Sequence, residues 1–291
     1  MKRLNIFYVR HGNSCYNIAK KHGYKKSKPS HKTYLHPFFI ADPLLSQIGV
    51  DNSELMKERI KNKIKNIDMV ISSILMRAIE TAGLMFPDDE HIYVYPYISE
   101  LNFTPYDLPL SILSDPDKLF DSKKEFFKNI KFHKYNNKLQ DNYLDQSITN
   151  KLDRNEVNNM NLLISRPGMN NFLKLLGKTI HKYIKDIESK DKINIVVVTH
   201  GNFIDRYIKS GSSKMDDIID AKNSDVFLQK YLFDPINKKI TLDPCYSKPE
   251  KCHEHNTKIF DGPEITTTDF CQATKRCRSK IPSKIVCRNK K

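Results

Sequence analysis

Long apolar runs are missing from this 291-residue sequence. The longest clean hydrophobic stretches, such as Ile195 to Val198, are strand-sized, well short of the roughly 20 residues a bilayer demands, so no membrane span is expected. The first dozen residues run from Met-Lys-Arg straight into a short strand and a charged motif. No apolar secretory core or small-residue cleavage site intervenes, which points to an intracellular, cytoplasmic protein. Cys-x-x-Cys spacing is also lacking. Of six cysteines, Cys15 stands alone, while Cys245, Cys252, Cys271, Cys277 and Cys287 crowd the last 47 residues. Without a secretory signal a disulfide framework is not expected, and free thiols in a loose tail are. Cys252-His253-Glu254-His255 offers zinc-type ligands, but the spacings to the later cysteines match no common finger, so no metal is expected. Acidic residues are scarce too. The 49 Lys+Arg outnumber 34 Asp+Glu, giving +15, which favours an anionic partner such as a phosphorylated metabolite, nucleic acid or an acidic surface. A lysine-rich surface that is merely solvated would give the same sum.

What is present is a rhythm of strands and amphipathic helices. A strand is predicted from about Leu4 to Val9. Then "DPLLSQIGVDNSELMKERIKNKI" places Ile48, Leu55, Met56, Ile60 and Ile64 at near-helical spacing. "IDMVISS" reads as a buried strand over Ile67 to Ser72, "ILMRAIETAGLMF" as a helix opening within two residues of its end, and "HIYVYPYI" as a third strand. From 104 to about 165 the rhythm is lost in a Pro-, Lys- and Asn-rich segment that reads as an insertion. It resumes in a helix whose apolar face holds Met169, Phe172, Leu173, Leu176, Ile180, Tyr183, Ile184 and Ile187. The strand "INIVVVT", a short helix in "NFIDRYIKS" and an edge pair around "DVFLQKYLFD" and "KKITL" follow. Alternation of this kind implies an α/β fold with a mostly parallel sheet covered by helices on both faces. Residues 1–244 would form the catalytic domain. Residues 245–291, with 11 Lys+Arg against 5 Asp+Glu beyond Cys245, would be a basic, Cys-containing flexible tail.

In such a sheet, ligands bind beyond the carboxyl ends of the strands. Three strands deliver charge to that edge: Arg10-His11-Gly12 after the first, Arg77 one helical turn after the second, and His200-Gly201 after the fourth. One histidine at a strand end is better explained as a core residue satisfied by a carbonyl. Two His-Gly pairs, one preceded directly by Arg, describe a cationic pocket instead. Guanidinium forks suit phosphoryl oxygens, and glycines at 12 and 201 allow a backbone to approach a ligand. The pocket asks for phosphate.

These residues resemble the histidine phosphatase superfamily, which includes the cofactor-dependent phosphoglycerate mutases. The matching stretches are "VRHGNSCYN", "DPLLSQIG", "SSILMRAIETA" and "VVVTHGNFI", in that order. The resemblance implies a three-layer phosphoglycerate mutase-like sandwich, with 104–165 in the place of the substrate cap. It implies a metal-independent phosphomonoester hydrolase needing no cofactor, with His11 as nucleophile forming a phosphohistidine. Arg10, Arg77 and His200 would clamp the phosphoryl oxygens, with Asn17 adding a hydrogen bond. In the family's acid-phosphatase branch an Asp follows the second histidine, where this chain has Gly201; the resemblance implies instead that Glu100, just after the third strand and in the place where mutase-branch relatives carry their acid, is the proton donor. Ser14 either donates to a phosphoryl oxygen or caps the following turn; Asp42 ties loops together; Cys15 lacks a dedicated base.

The substrate would be a phosphorylated small molecule or a phosphoprotein. A phosphoglycerate mutase primed by 2,3-bisphosphoglycerate is the enzymatic alternative. Against it, "ELNFTPYDL" stands where mutases carry Glu-Arg-His-Tyr-Gly. A binding module with an idle phosphate pocket and a nucleic-acid-binding tail is the alternative of another class. Neither oligomeric state nor substrate is written in these motifs.

Overall fold

The computed structural model describes residues 1–19, 42–87, 92–100, 168–209, 221–244, 257–263 and 277. The cap-like segment 104–165, four of the five C-terminal cysteines and the candidate zinc ligands lie outside the described residues.

Strand β1 (Lys2–Arg10) carries the unbroken run Leu4 to Val9, buried on both faces. A strand so apolar belongs at a sheet's centre. It pairs in parallel with β4 (Lys192–Thr199), which pairs in parallel with β2 (Met69–Ser73), which in turn pairs in parallel with β3 (Ile92–Tyr95). On the other side β1 meets the antiparallel β5 (Val226–Asp234). The order is β3-β2-β4-β1-β5-β6, with β6 (Lys239–Leu242) and β7 (Thr257–Phe260) sharing the outer edge of β5. Strand β3 stops where the sequence requires it: Pro96 has no N–H to give a ladder, and the chain turns into a short 3-10 segment, Pro96–Ile98.

Helices cover both faces, as three layers require. Helix α1 (Cys15–Ala19) is a single turn following β1. Helices α2 (Gln47–Lys63) and α3 (Met76–Met85) pack on one face, where Met56, Ile60, Ala78 and Ala82 meet Phe7, Val9, Val70, Val196 and Val198. On the other face α4 (Met169–Tyr183) and α5 (Gly201–Ile204) bring Phe172, Leu176, Ile180 and Phe203 against Leu4, Ile6, Tyr8, Ile71 and Val197. A fully buried aliphatic or aromatic side chain is worth about 1.5–3 kcal/mol of transfer free energy, so these two clusters are what hold the layers together. Among the described residues no helix is long and apolar enough to cross a membrane.

Three expectations are corrected. The buried face of α2 is Gly49, Val50, Ser53, Met56 and Ile60, and Leu55 is 60% exposed. Close contact of Gly49 with the loop after β1 sets that rotation, because a Cβ there would lie 2.0 Å from the Asn13 carbonyl oxygen. Second, residues 257–263 do not hang free: β7 pairs with Val226 to Leu228 of β5 and extends the sheet. Third, Cys15 and Cys277 form a disulfide with their Cα atoms 5.7 Å apart, within ordinary bridging range. Sequence spacing did not suggest this bond, because its partners are 262 residues apart and meet only once the C-terminal segment has folded back to α1. Cys15 is thus neither a free thiol nor a nucleophile.

Candidate active site

The parallel strands all end on one edge. There, the His11 backbone N–H donates to the Thr199 carbonyl (2.9 Å), which holds the residue after β1 beside the residue after β4. The two imidazoles consequently face each other, His11 and His200 having ring centroids 5.0 Å apart. Helix α3 supplies the third element. From its first turn, Arg77 Nε donates to His11 Nε2 at 3.2 Å. Glu100 enters from beyond β3, with Oε2 3.9 Å from Arg77 Nη2 and 4.0 Å from His200 Nδ1. Four residues singled out from separate stretches of sequence therefore share one site.

The geometry fixes the protonation of His11. Its Nδ1 lies 2.7 Å from the Gly12 carbonyl oxygen, which can only accept, so Nδ1 carries the hydrogen. Its Nε2 accepts from Arg77, which can only donate, so the lone pair on Nε2 faces the guanidinium and the site. Burial first, and then the charges of Arg77 and Arg10, hold the His11 pKa well below its usual value, despite the opposing pull of the Gly12 carbonyl. His200 is held well below its usual value for the same leading reason, burial, with Arg77, His11 and Arg10 adding to it. Both rings are neutral at pH 7. His200 Nε2 is bonded to the Ser73 hydroxyl at 2.7 Å, while its buried Nδ1 has no hydrogen-bond partner among the described residues and faces Glu100.

Arg10 lies at the end of β1, its guanidinium bonded to the Ala221 carbonyl and packed on Gly201. A Cβ at 201 would stand 3.2 Å from the guanidinium carbon. In this structure Gly201 serves Arg10. Asn17 lies on α1 with its Oδ1 accepting from the Ser14 backbone (3.0 Å) and hydroxyl (2.9 Å), and Ser14 Oγ accepts in return from Asn17 N at 3.3 Å. The buried Ser14 hydroxyl is thus engaged as the cap of α1, the second of its two predicted roles. Asp42 does tie loops: its Oδ1 accepts from the Met76 backbone N–H at the start of α3 (2.8 Å).

Sequence reasoning missed three supports. Thr81, one turn beyond Arg77 on the same helix face, accepts from Gly12 N at 2.9 Å and donates to the Arg77 carbonyl at 2.7 Å. The buried Glu80 accepts from Leu45 N at 2.7 Å. Asn223, before β5, donates to the His11 carbonyl at 2.9 Å. The i, i+4 spacing of Arg77 and Thr81 was a usable signal; Asn223 sits in an Asn-rich chain and offered none.

Solved phosphatases are what the chain resembles. The ecdysone phosphate phosphatase of Bombix mori, in complex with tungstate, is 15% identical over 91% of this chain and 96% of that one, with a TM-score of 0.43. A phosphoserine phosphatase of Entamoeba histolytica, in complex with 3-phosphoglyceric acid, is 17% identical over 88% and 98%, with a TM-score of 0.38. A putative alpha-ribazole-5'-P phosphatase of Escherichia coli is 14% identical over 82% and 95%, with a TM-score of 0.37. No family model matches the chain, and no curated protein does. At identities and scores this low, only the site itself speaks to chemistry.

Proposed function

We propose that the chain is a histidine phosphatase, hydrolysing phosphomonoesters through a phosphohistidine on His11. The observation that carries this is a neutral imidazole whose Nε2 lone pair is held at a buried sheet edge between a guanidinium and a second neutral imidazole, with a carboxylate at hand. His11 Nε2 attacks phosphorus, the bond from phosphorus to the leaving oxygen breaks, and Glu100 in its acid form gives that oxygen its proton. Arg10, Arg77 and the Nδ1 side of His200 face the charge that builds on the phosphoryl oxygens. Water then attacks phosphorus, the phosphorus–nitrogen bond breaks, and the Glu100 carboxylate takes the water's proton. Phosphate leaves and His11 regains its lone pair. No step calls for a metal.

The test is turnover of a broad phosphoester panel, with and without a chelator. His11→Ala should lose at least about 10⁴-fold in kcat, as removal of a covalent nucleophile does. Trapped acid-labile phosphate on the wild type should be absent from the variant. Equal turnover by His11→Ala would overturn the proposal, and interconversion of phosphoglycerates after priming with 2,3-bisphosphoglycerate would replace it with the mutase.

A further inference from the structure

We propose that Asn223 is a positioning residue for the phosphoacceptor: its side-chain amide anchors the carbonyl that fixes the His11 tautomer, and the C-terminal segment holds it there. The role rests on the phosphohistidine reading of His11.

The Gly12 carbonyl oxygen receives two donors. One is His11 Nδ1–H at 2.7 Å and the other is Asn223 Nδ2 at 3.3 Å. The same Nδ2 donates to the His11 carbonyl at 2.9 Å and lies 3.5 Å from Asn17 Oδ1. A single amide thus spans three points of the loop that presents the nucleophile. Which imidazole nitrogen carries the proton is set by the hydrogen bond the other atom of the pair makes. If the Gly12 carbonyl swings away, Nδ1 loses its acceptor. A proton on Nε2 would then occupy the attacking lone pair and point at the Arg77 N–H. Asn223 opposes that change from outside the pocket, touching backbone rather than substrate.

The amide is itself braced. Ser224, at φ 64°, turns the chain so that its N–H donates to the Arg10 carbonyl at 3.0 Å. The buried Asp225 carboxylate accepts from Lys222 N (2.8 Å) and from Gly262 N (2.8 Å), and pairs with Lys258 Nζ (2.9 Å). Gly262 packs directly on Asn223, for a Cβ there would lie 1.9 Å from the Asn223 carbonyl oxygen. A strand and a glycine from the C-terminal segment therefore stand behind the residue that stands behind His11.

The decisive measurement is the His11 tautomer in the resting protein, read from ¹⁵N shifts of labelled histidine assigned with His11→Asn. Wild type should show one tautomer, protonated at Nδ1. Asn223→Ala should show mixed tautomers, with kcat reduced about 10–100-fold, the size seen when partners behind a functional histidine are removed, and KM moved far less. Asn223→Asp keeps the shape but turns only acceptors toward two carbonyls, so it should be at least as impaired, and it serves if the alanine variant folds poorly. A single Nδ1–H tautomer in both variants overturns the proposal whatever the activity. Should wild type hydrolyse no phosphoester, the phosphatase reading fails on its own while the tautomer result still decides the role of Asn223.

Discussion

The parallel half of the sheet and the C-terminal segment reach the same histidine by opposite routes. Strands β1, β2 and β4 deliver Arg10, His11, Arg77 and His200 from short stretches in which the functional residue follows its strand directly or within one turn. Among its described residues, the C-terminal segment delivers no reacting group. It contributes β7, Gly262 and Cys277, which bond to the sheet edge, to Asp225 and to Cys15. On the proposed function one region would hold the chemistry and the other the loop that presents it, so damage to them should separate into lost rate and lost stability.

Short of losing the nucleophile itself, the largest expected effect lies on the first side. Arg77→Ala removes the guanidinium that touches His11 Nε2 and faces Glu100. Loss of one preorganised charge-stabilising donor costs about 10²–10³-fold in kcat, and Arg77→Lys should recover only part of it, because a point charge replaces a two-armed fork. Steady-state kinetics on whichever phosphoester the panel identifies will show this. Wild-type kcat in Arg77→Ala would mean that the strand-end cluster does not carry the chemistry.

The second effect belongs to the C-terminal side. Cys277→Ser opens a cross-link between residues 262 apart in sequence. Native disulfides typically contribute about 2–4 kcal/mol, largely through the unfolded chain, so denaturant unfolding should show a loss of that order. A reductant should reproduce it on wild type and add nothing to the variant. If stability is untouched while kcat collapses, the division between the two regions is wrong. Such bonds persist in oxidising surroundings, which sets this cross-link against the cytoplasmic expectation raised by the N-terminal sequence.

How much was legible follows the same division. The parallel strands, the helices on both faces and the convergence of Arg10, His11, Arg77 and His200 were readable because each signal is local: an apolar run, a 3.6-residue period, a charged residue just past a strand. Glu100 was not legible from its own surroundings, where a charged residue past a strand end is as well explained by solvation; the family resemblance pointed to it, and it stands 4.0 Å from His200. Asn223 and Asp225 were not readable, since a turn amide and a turn carboxylate gain meaning only from partners about 210 and 37 residues away. Leu55 misled because apolarity at helical spacing does not say which of two adjacent faces will turn inward. That was decided by Gly49 against the Asn13 carbonyl. Cys277 failed for want of any spacing rule across 262 residues.

The smallest effect is a pH dependence that only the first region should show. His11 and His200 are neutral in the folded protein because burial, reinforced by Arg77, holds both pKa values well below 6.5. In the unfolded chain each titrates near 6.5. Above that pH neither state binds the proton and folding gains or loses nothing from these rings. As pH falls below about 6.5 the unfolded chain takes up protons that the folded site refuses, so stability declines until the folded pKa values are reached, by up to about 1.4 kcal/mol per pH unit for each histidine. Chemical denaturation between pH 7.5 and 5.5 should therefore show a slope that His200→Gln and His11→Asn each reduce. Cys277→Ser should shift the whole curve down without changing that slope, because a disulfide has no proton to exchange. Equal slopes in wild type and both histidine variants would show that the rings are not held neutral. They would also remove the ground for a His11 Nε2 lone pair that stays free of a proton below pH 6.5.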